Sequence, residues 1–358
     1  MKILYAVQGT GNGHLSRAKD VIPLLQQKGE VDILVSGSQA EVQLPYTIKY
    51  KMHGMGFTFG KKGGIDFVKT FQDFRVFSLL KEVKKVPVKD YDLVINDFEP
   101  VTAWASFFSK TPCVSLSHQS AILSKKAPKP QEEDLMGKMV LKYYAPSKIK
   151  YGFHFDCFDT NISTPVIRKE IRQQTPTNEG HYTVYLPAFD DTYLVKKLKK
   201  IKEVKWQVFS KHNKNAYRQG NLYVQPINNK KFVESLVSCE GVLCGAGFET
   251  PAEALYLEKK LMVLPMKKQY EQHCNAAALA QMGIPVIKSL KKKNLNDIED
   301  WIQHGQFIKV NYPDVTAKLI DEIFDSNLSD IADKEKNKEY VEKEYAVIQL
   351  YSGKSQRI

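Results

Sequence analysis

From Gly241 to Asn275 the chain reads GVLCGAGFETPAEALYLEKKLMVLPMKKQYEQHCN. The apolar run Val242-Leu243-Cys244 predicts a buried strand that ends at a glycine turn. Gly245-Ala246-Gly247 makes the turn and a helix follows. Thr250 is placed to cap that helix, Pro251 takes its first position, and Glu253 falls where a capping-box carboxylate belongs. A glycine turn feeding a helix N-terminus leaves N–H groups unpaired at the positive end of the helix dipole, which suits a phosphate. Leu261 to Leu264 predicts a second strand, closed by Pro265. The helix after it carries Gln272 and Asn275 one turn apart. Two such strand ends would direct their polar groups into one crevice, where open α/β sheets bind ligands.

The N-terminus repeats the theme. Lys2 to Val7 is a continuous apolar run of the kind used in parallel sheets. Gly9-Thr10-Gly11-Asn12-Gly13-His14 follows, then a helix with Ala18, Val21, Ile22, Leu24 and Leu25 on its apolar face. Gly29 ends that helix, and Val31 to Val35 is the next strand. A dinucleotide-binding turn would need a third glycine where His14 stands and an acid at the end of the second strand, and the chain has neither. His14 instead lies just past a strand's C-terminal end, where it enters a cleft or bonds its own loop. Histidine is the side chain that most readily takes a proton near neutral pH.

Tyr91 to Asn96 predicts another parallel strand, running into Asp97-Phe98-Glu99-Pro100. Glu99 fits a cap for the helix starting at Val101. Cys113 to Leu116 is the next strand, ending in Ser117-His118-Gln119-Ser120. Between these stretches, Phe67, Phe71, Phe74, Phe77 and Leu80 recur at helical spacing among lysines, a stripe that predicts core. The Phe57–Gly64 loop is the exposed alternative for acceptor or membrane contact. Lys125 to Gln131 reads as a mobile Lys/Pro loop. Further strands are expected at Tyr182–Leu186, Trp206–Phe209, Leu222–Gln225 and Val286-Ile287. Helical segments separate most of the strands in both halves, so the fold class is α/β.

The spacing Gly247-x-x-Thr250-x-x-Glu253, then Pro265 and Gln272-x-x-Asn275-Ala276, resembles the donor-binding region of GT-B nucleotide-sugar glycosyltransferases. It is most similar to family 28, which includes the N-acetylglucosaminyltransferase making lipid II, and to the related family 1. The resemblance implies two Rossmann-like, doubly wound domains facing across a cleft. Residues 1–163 would bind the acceptor and 164–330 the donor, with a boundary near Thr164-Pro165-Val166-Ile167-Arg168. A last helix, about 331–358, would return to the first domain. Gly245, Ala246, Gly247, Thr250, Glu253, Gln272 and Asn275 become the donor set: the turn holds the diphosphate, Glu253 the ribose hydroxyls, Gln272 the sugar. For Glu253 the capping-box reading stands beside this one. His14 becomes the catalytic base and Asp97 its partner, with Gly11, Asn12, Gly13, Glu99 and His118 on the acceptor side. The implied reaction moves a sugar, with inversion, from a nucleotide diphosphate donor, UDP-linked, to a hydroxyl acceptor such as a lipid or cell-envelope glycan. A nucleotide-sugar 2-epimerase and a non-catalytic nucleotide-sugar-binding partner are the alternatives.

Asp97-Phe98-Glu99 also imitates an Asp-x-Asp metal motif. A helix N-terminus already offers charge compensation, so neither a metal nor any other cofactor is expected. The 358 residues suffice for two domains, and 43% hydrophobic with 26% charged content is that of a globular protein. No apolar run approaches the roughly 20 residues that span a bilayer, and the N-terminus reads as a strand rather than a signal peptide. Cys113, Cys157, Cys239, Cys244 and Cys274 are odd in number without C-x-x-C spacing, which suits reduced thiols in the cytoplasm. The net charge of +12 comes from scattered short lysine clusters. Without a nucleic-acid-binding signature it indicates solvated surface and an anionic substrate, and it is compatible with peripheral contact at the inner face of a membrane.

Overall fold

The computed structural model describes residues 1–37, 44–54, 59–60, 64–65, 76–132 and 134–332. In chain order it begins β1 (Lys2–Gln8), α1 (Asn12–Gln26), β2 (Glu30–Ser36) and β3 (Tyr50–Met52), then a small hairpin of β4 (Phe59–Gly60) and β5 (Gly64–Ile65). Next come α2 (Val76–Lys85), β6 (Leu93–Asp97), α3 (Pro100–Ser109), β7 (Cys113–Leu116), α4 (His118–Ile122), α5 (Leu135–Tyr143), β8 (Ile149–Phe153) and β9 (Ile162–Ser163). The second half holds α6 (Lys169–Arg172), β10 (His181–Tyr185), α7 (Asp191–Leu198), β11 (Lys205–Ser210), β12 (Tyr217–Gln219), β13 (Leu222–Pro226) and α8 (Asn229–Ser238). It closes with β14 (Gly241–Gly245), α9 (Glu249–Tyr256), β15 (Lys260–Leu264), α10 (Tyr270–Gln281), α11 (Leu295–His304) and α12 (Thr316–Ala332).

Apart from that hairpin, the described strands form two sheets. The first has the order β3-β2-β1-β6-β7-β8-β9 and is parallel throughout. The second runs β12-β13-β11-β10-β14-β15 and is parallel except for the edge strand β12. Strand chemistry explains why both faces are covered. Along β1, Ile3, Tyr5 and Val7 enter one apolar cluster, while Leu4 and Ala6 enter another. Along β14, Val242 and Cys244 take one side and Leu243 the other. A period of two with apolar residues at both phases needs helices on both faces, as in a doubly wound fold. In each sheet the order reverses beside its first strand, at β1/β6 and at β10/β14. Those switch points are where such sheets open a crevice.

The expected strands are present to within a residue or two, and Val286 makes only an isolated bridge to Val263. Four other expectations change. The helix after β14 starts at Glu249, with Phe248 at the cap position and no side-chain cap, so Thr250 does not cap it. Pro251 then occupies the third helical residue, where a missing N–H still costs nothing because the first four have no intrahelical partner. At the end of the stripe between 67 and 80, Leu80 is exposed, while Leu79 and, just beyond, Val83 are buried; residues 66–75 and the side chain of Phe77 lie outside the described set, as do 57–58 and 61–63 of the Phe57–Gly64 loop. The Lys/Pro loop is pinned: Lys129 donates to the carbonyls of Ser124 and Ala127, both at 2.8 Å, and Ala127 is buried. The return to the first sheet begins before residue 331. Leu319, Ile320, Ile323 and Phe324 of α12 join the cluster that packs α1, and Lys28 pairs with Asp321 at 2.6 Å. Residues 333–358 lie outside the described set.

Candidate active site

His14 and Asp97 come from neighbouring strands at the first switch point. Val7, near the end of β1, is in register with Asp97, the last residue of β6. The imidazole Nδ1 lies 2.8 Å from Asp97 Oδ1, and the ring keeps 14% of its surface exposed, while Asp97 has none. The turn after β6 fixes this geometry. Phe98 adopts a left-handed backbone, φ 55°, which costs a non-glycine residue free energy. Asn96 holds the turn closed: its Oδ1 accepts from the Glu99 N–H at 3.0 Å and its Nδ2 donates to the Glu99 carbonyl at 2.7 Å. The reversal sends Asp97 toward His14 and Glu99 the opposite way.

Glu99 is therefore a correction. Its carboxylate accepts from the N–H groups of Val101 and Thr102, both at 2.7 Å, and from the Thr102 hydroxyl, capping α3 in full burial. With Asp97 and Glu99 pointing apart, the tripeptide does not present a paired carboxylate site. His118 is the second correction. It is buried between the Phe153 carbonyl (2.8 Å from Nδ1) and Asn275 Oδ1 (2.6 Å from Nε2), and its ring stacks on Phe248 at 3.8 Å. Burial pushes its pKa down and favours the neutral ring. His118 thus ties the two sheets together instead of facing a ligand. Asn275 shares that task, donating to the Ala246 carbonyl at 3.1 Å.

A cavity of about 230 Å³ opens between the sheets beside His14. One wall is Gln8, Thr10, Gly11, Gly13 and His14 with Phe98 and Gln119; the facing wall is Gly247, Phe248 and Glu249 with Lys268 through Gln272. Of the expected donor residues, Gly247 and Gln272 line it. Gly245 adjoins it, since a Cβ there would lie 3.7 Å from Gln272 Oε1. Ala246, Asn275 and Glu253 are buried behind that wall, and Asn12 and Thr250 stand off it in the first turns of α1 and α9. Glu253 neither closes a capping box nor faces the cavity. It pairs with Arg168, with Nε–Oε1 at 2.5 Å and Nη2–Oε2 at 2.8 Å. Burial raises the carboxyl's pKa, and Arg168 opposes that rise.

Four side chains that the sequence reading passed over complete the site. Arg17 is buried and grips Asp97 through Nη2, at 2.7 and 2.9 Å from the two oxygens. Its Nη1 meets Glu249 Oε1 at 2.5 Å. Gln119 Nε2 lies 3.4 Å from His14 Nε2 and donates to Glu271 at 3.1 Å, while its Oε1 is buried without a partner among the described residues. Arg17 had a sequence signal, since it falls three residues after His14 and so shares its helix face. Glu249 and Glu271 look in sequence like ordinary acids in the first turn of a helix. For the imidazole, burial lowers the pKa, but the Asp97 charge and hydrogen bond reverse this and the net shift is upward. For Asp97, burial raises and Arg17 then His14 lower; the carboxyl ends below its ordinary range.

Residues 1–304 match the model of glycosyl transferase family 1. The chain belongs to that family. Among solved structures, this transferase is similar to the MurG of Acinetobacter baumannii, at 15% identity and a TM-score of 0.52 over 90% of this chain and 99% of the other. It is similar to UGT89C1 of Arabidopsis thaliana, solved with UDP, at 10% identity and a TM-score of 0.53 over 96% and 99%. The spinosyn rhamnosyltransferase SpnG, solved with thymidine diphosphate, gives 11% identity and 0.51 over 93% and 96%. At such identities the likeness is one of fold, and that fold is GT-B. No curated protein matches the transferase. Among its described residues no helix is long and apolar enough to cross a membrane.

Packing does not demand glycine at Gly247, because a Cβ there meets nothing within 4 Å. Gly247→Ala should therefore leave the melting temperature unchanged and weaken UDP binding at least several-fold, as a methyl group obstructs the approach of a diphosphate to the backbone. Equal UDP affinity in wild type and variant, measured by calorimetry, would remove the turn from the donor site.

Proposed function

We propose that this protein is an inverting glycosyltransferase that moves a hexose from UDP to a hydroxyl acceptor, with a lipid or cell-envelope glycan as the acceptor class. The observation that carries the reading is the 2.8 Å contact between His14 Nδ1 and Asp97, with His14 lining the cavity opposite the glycine turn and the start of α9 and its Nε2 3.4 Å from the Gln119 amide nitrogen. Asp97 holds the Nδ1–H tautomer, so Nε2 carries the lone pair. The acceptor O–H gives its proton to Nε2 while the acceptor oxygen bonds to the anomeric carbon from the face away from the phosphate. The bond from that carbon to the phosphate oxygen breaks, and its electron pair leaves with the diphosphate. N–H groups at the start of α9 receive the charge. Glu271 and Gln272 offer acceptors and donors for sugar hydroxyls.

The half built on the first sheet serves the acceptor and the half built on the second sheet the donor. The protein works in the cytoplasm or at the inner membrane face, and nucleic acid is not a partner. Because backbone N–H groups and the helix dipole receive the diphosphate, excess chelator should leave UDP affinity unchanged. Loss of binding on chelation, restored by Mg²⁺ or Mn²⁺, would overturn that part of the reading.

Glu249 and Glu271 on one cavity wall favour a second reading, a nucleotide-sugar 2-epimerase, which needs acids at the sugar. Product analysis with UDP-sugar separates the two. A transferase releases UDP in step with glycosylated acceptor, and without acceptor yields at most slow hydrolysis. An altered UDP-sugar formed without acceptor would establish the epimerase, and no turnover with either would leave a binding partner.

A further inference from the structure

Arg17 sits where the two halves of the site meet. Its Nη2 touches both oxygens of Asp97, lies 3.1 Å from His14 Nδ1, and leaves Nη1 to Glu249. The other charged or titratable groups facing His14 are Asp97, Glu271 through Gln119, Tyr5 beside the Asp97–Arg17 pair, and Lys268 on the same cavity. An Asp–His pair alone would drive the imidazole strongly toward its charged form, which has no lone pair to offer. An opposite charge within about 4–6 Å is worth roughly 1–3 pKa units. A guanidinium sharing the same carboxylate takes part of that field away.

We propose that Arg17 is a positioning residue that opposes protonation of His14, and that Glu249 tempers Arg17 from across the cleft, so that the basicity of His14 depends on how the two halves meet. The functional part of this rests on His14 being the base. Glu249 stands in the first turn of α9 with its carboxylate against Gly13, where even a Cβ would lie 2.3 Å from Oε2. A donor bound at that turn brings further negative charge to the place Glu249 occupies, so the same guanidinium that sets His14 also meets the ligand. In this arrangement Arg17 opposes protonation of His14, while Asp97 and Glu249 favour it.

The signs make the proposal testable without turnover. His14 is titrated by NMR of the full-length protein with histidine ring carbons labelled, its signal assigned by loss in His14→Gln. Arg17→Gln should raise the His14 pKa by about one unit or more, because Asp97 then acts on the imidazole alone. Glu249→Gln should lower it, because Arg17 is then less compensated. Arg17→Lys, which keeps the charge, should stay near wild type. Opposite shifts from the Arg17→Gln and Glu249→Gln substitutions support the proposal. No shift in either, or an upward shift in Glu249→Gln, overturns it. Glu249 is 26% exposed, so Glu249→Gln is the milder substitution, and its downward shift alone supports the proposal if Arg17→Gln does not fold. If His14→Ala retains full transfer, the base assignment fails while this titration still reports the field of Arg17.

Discussion

Replacing His14 with alanine should reduce sugar transfer by roughly 10²–10⁴-fold, the usual contribution of general-base help, with UDP affinity unchanged. A sugar or lipid hydroxyl is a weak nucleophile at neutral pH, and His14 is the only histidine among the described residues that line the cavity. UDP binding survives because the donor turn belongs to the other sheet. The pH profile of kcat/KM carries the second half of the test. A general base works deprotonated, so with His14 as the base activity should rise with pH through its pKa. Since that pKa is shifted upward by Asp97, the acid limb should have its midpoint above the ordinary imidazole value of about 6.5. It should disappear in His14→Ala. Asp97→Asn keeps the shape but removes the field, so its limb should move toward more acid pH and its rate fall less. Wild-type rate with an unmoved limb in His14→Ala would show that the base lies elsewhere, and Glu271 would be tested next.

The second large effect concerns stability. Arg168→Ala removes the partner of Glu253 and leaves a carboxylate buried at 2% exposure, a loss of about 3–5 kcal/mol by the usual cost of breaking a buried pair. Glu253→Gln should cost less, because Arg168 retains Glu170 and Asn229 Oδ1, the latter at 2.9 Å. In a capping box, by contrast, Glu253→Gln would keep the hydrogen bond, and since a cap contributes only about 1 kcal/mol the melting temperature would stay nearly unchanged. Denaturant unfolding of the two variants decides it. If Arg168→Ala unfolds at the wild-type midpoint, the pair contributes nothing to stability. Weaker UDP binding in Glu253→Gln at unchanged stability would then return Glu253 to the donor site.

Why Glu253 was misjudged shows what the sequence can carry. Alternating strands and helices were legible because each strand's apolar run and each glycine turn are local signals. His14 and Asp97 were legible for the same reason, since both stand at strand ends. Arg168 is 85 residues from Glu253, and its approach depends on how the linker folds, which no local pattern encodes. The same limit applies to Arg17 and Glu249, separated by 232 residues, and to His118 with Asn275, separated by 157. His118 looked like a cleft residue because it follows a strand. It turned inward because a stacked Phe248 and two hydrogen-bond partners from distant segments enclose it. Glu99 went the other way for a local reason, the left-handed turn at Phe98, but a backbone inversion at a phenylalanine leaves no mark in the sequence.

Among the described residues the chain passes between the two sheets twice, outward through residues 164–180 and back through 305–316, and the two passages are fastened to each other. Arg172 donates to the carbonyls of Tyr312 at 2.8 Å and Pro313 at 3.2 Å, and the Tyr312 hydroxyl donates to the Phe155 carbonyl at 2.9 Å. A single tether would leave one half free to swivel in any direction against the other. A doubled strap resists twist and sideways slip and yields most easily to bending across its width. Any bending of the halves against each other would thereby be confined to one direction, like the cover of a bound book. The wall carrying Glu249 and Gln272 is held in one register against the wall carrying His14, with Arg17 facing Glu249 and His118 facing Asn275.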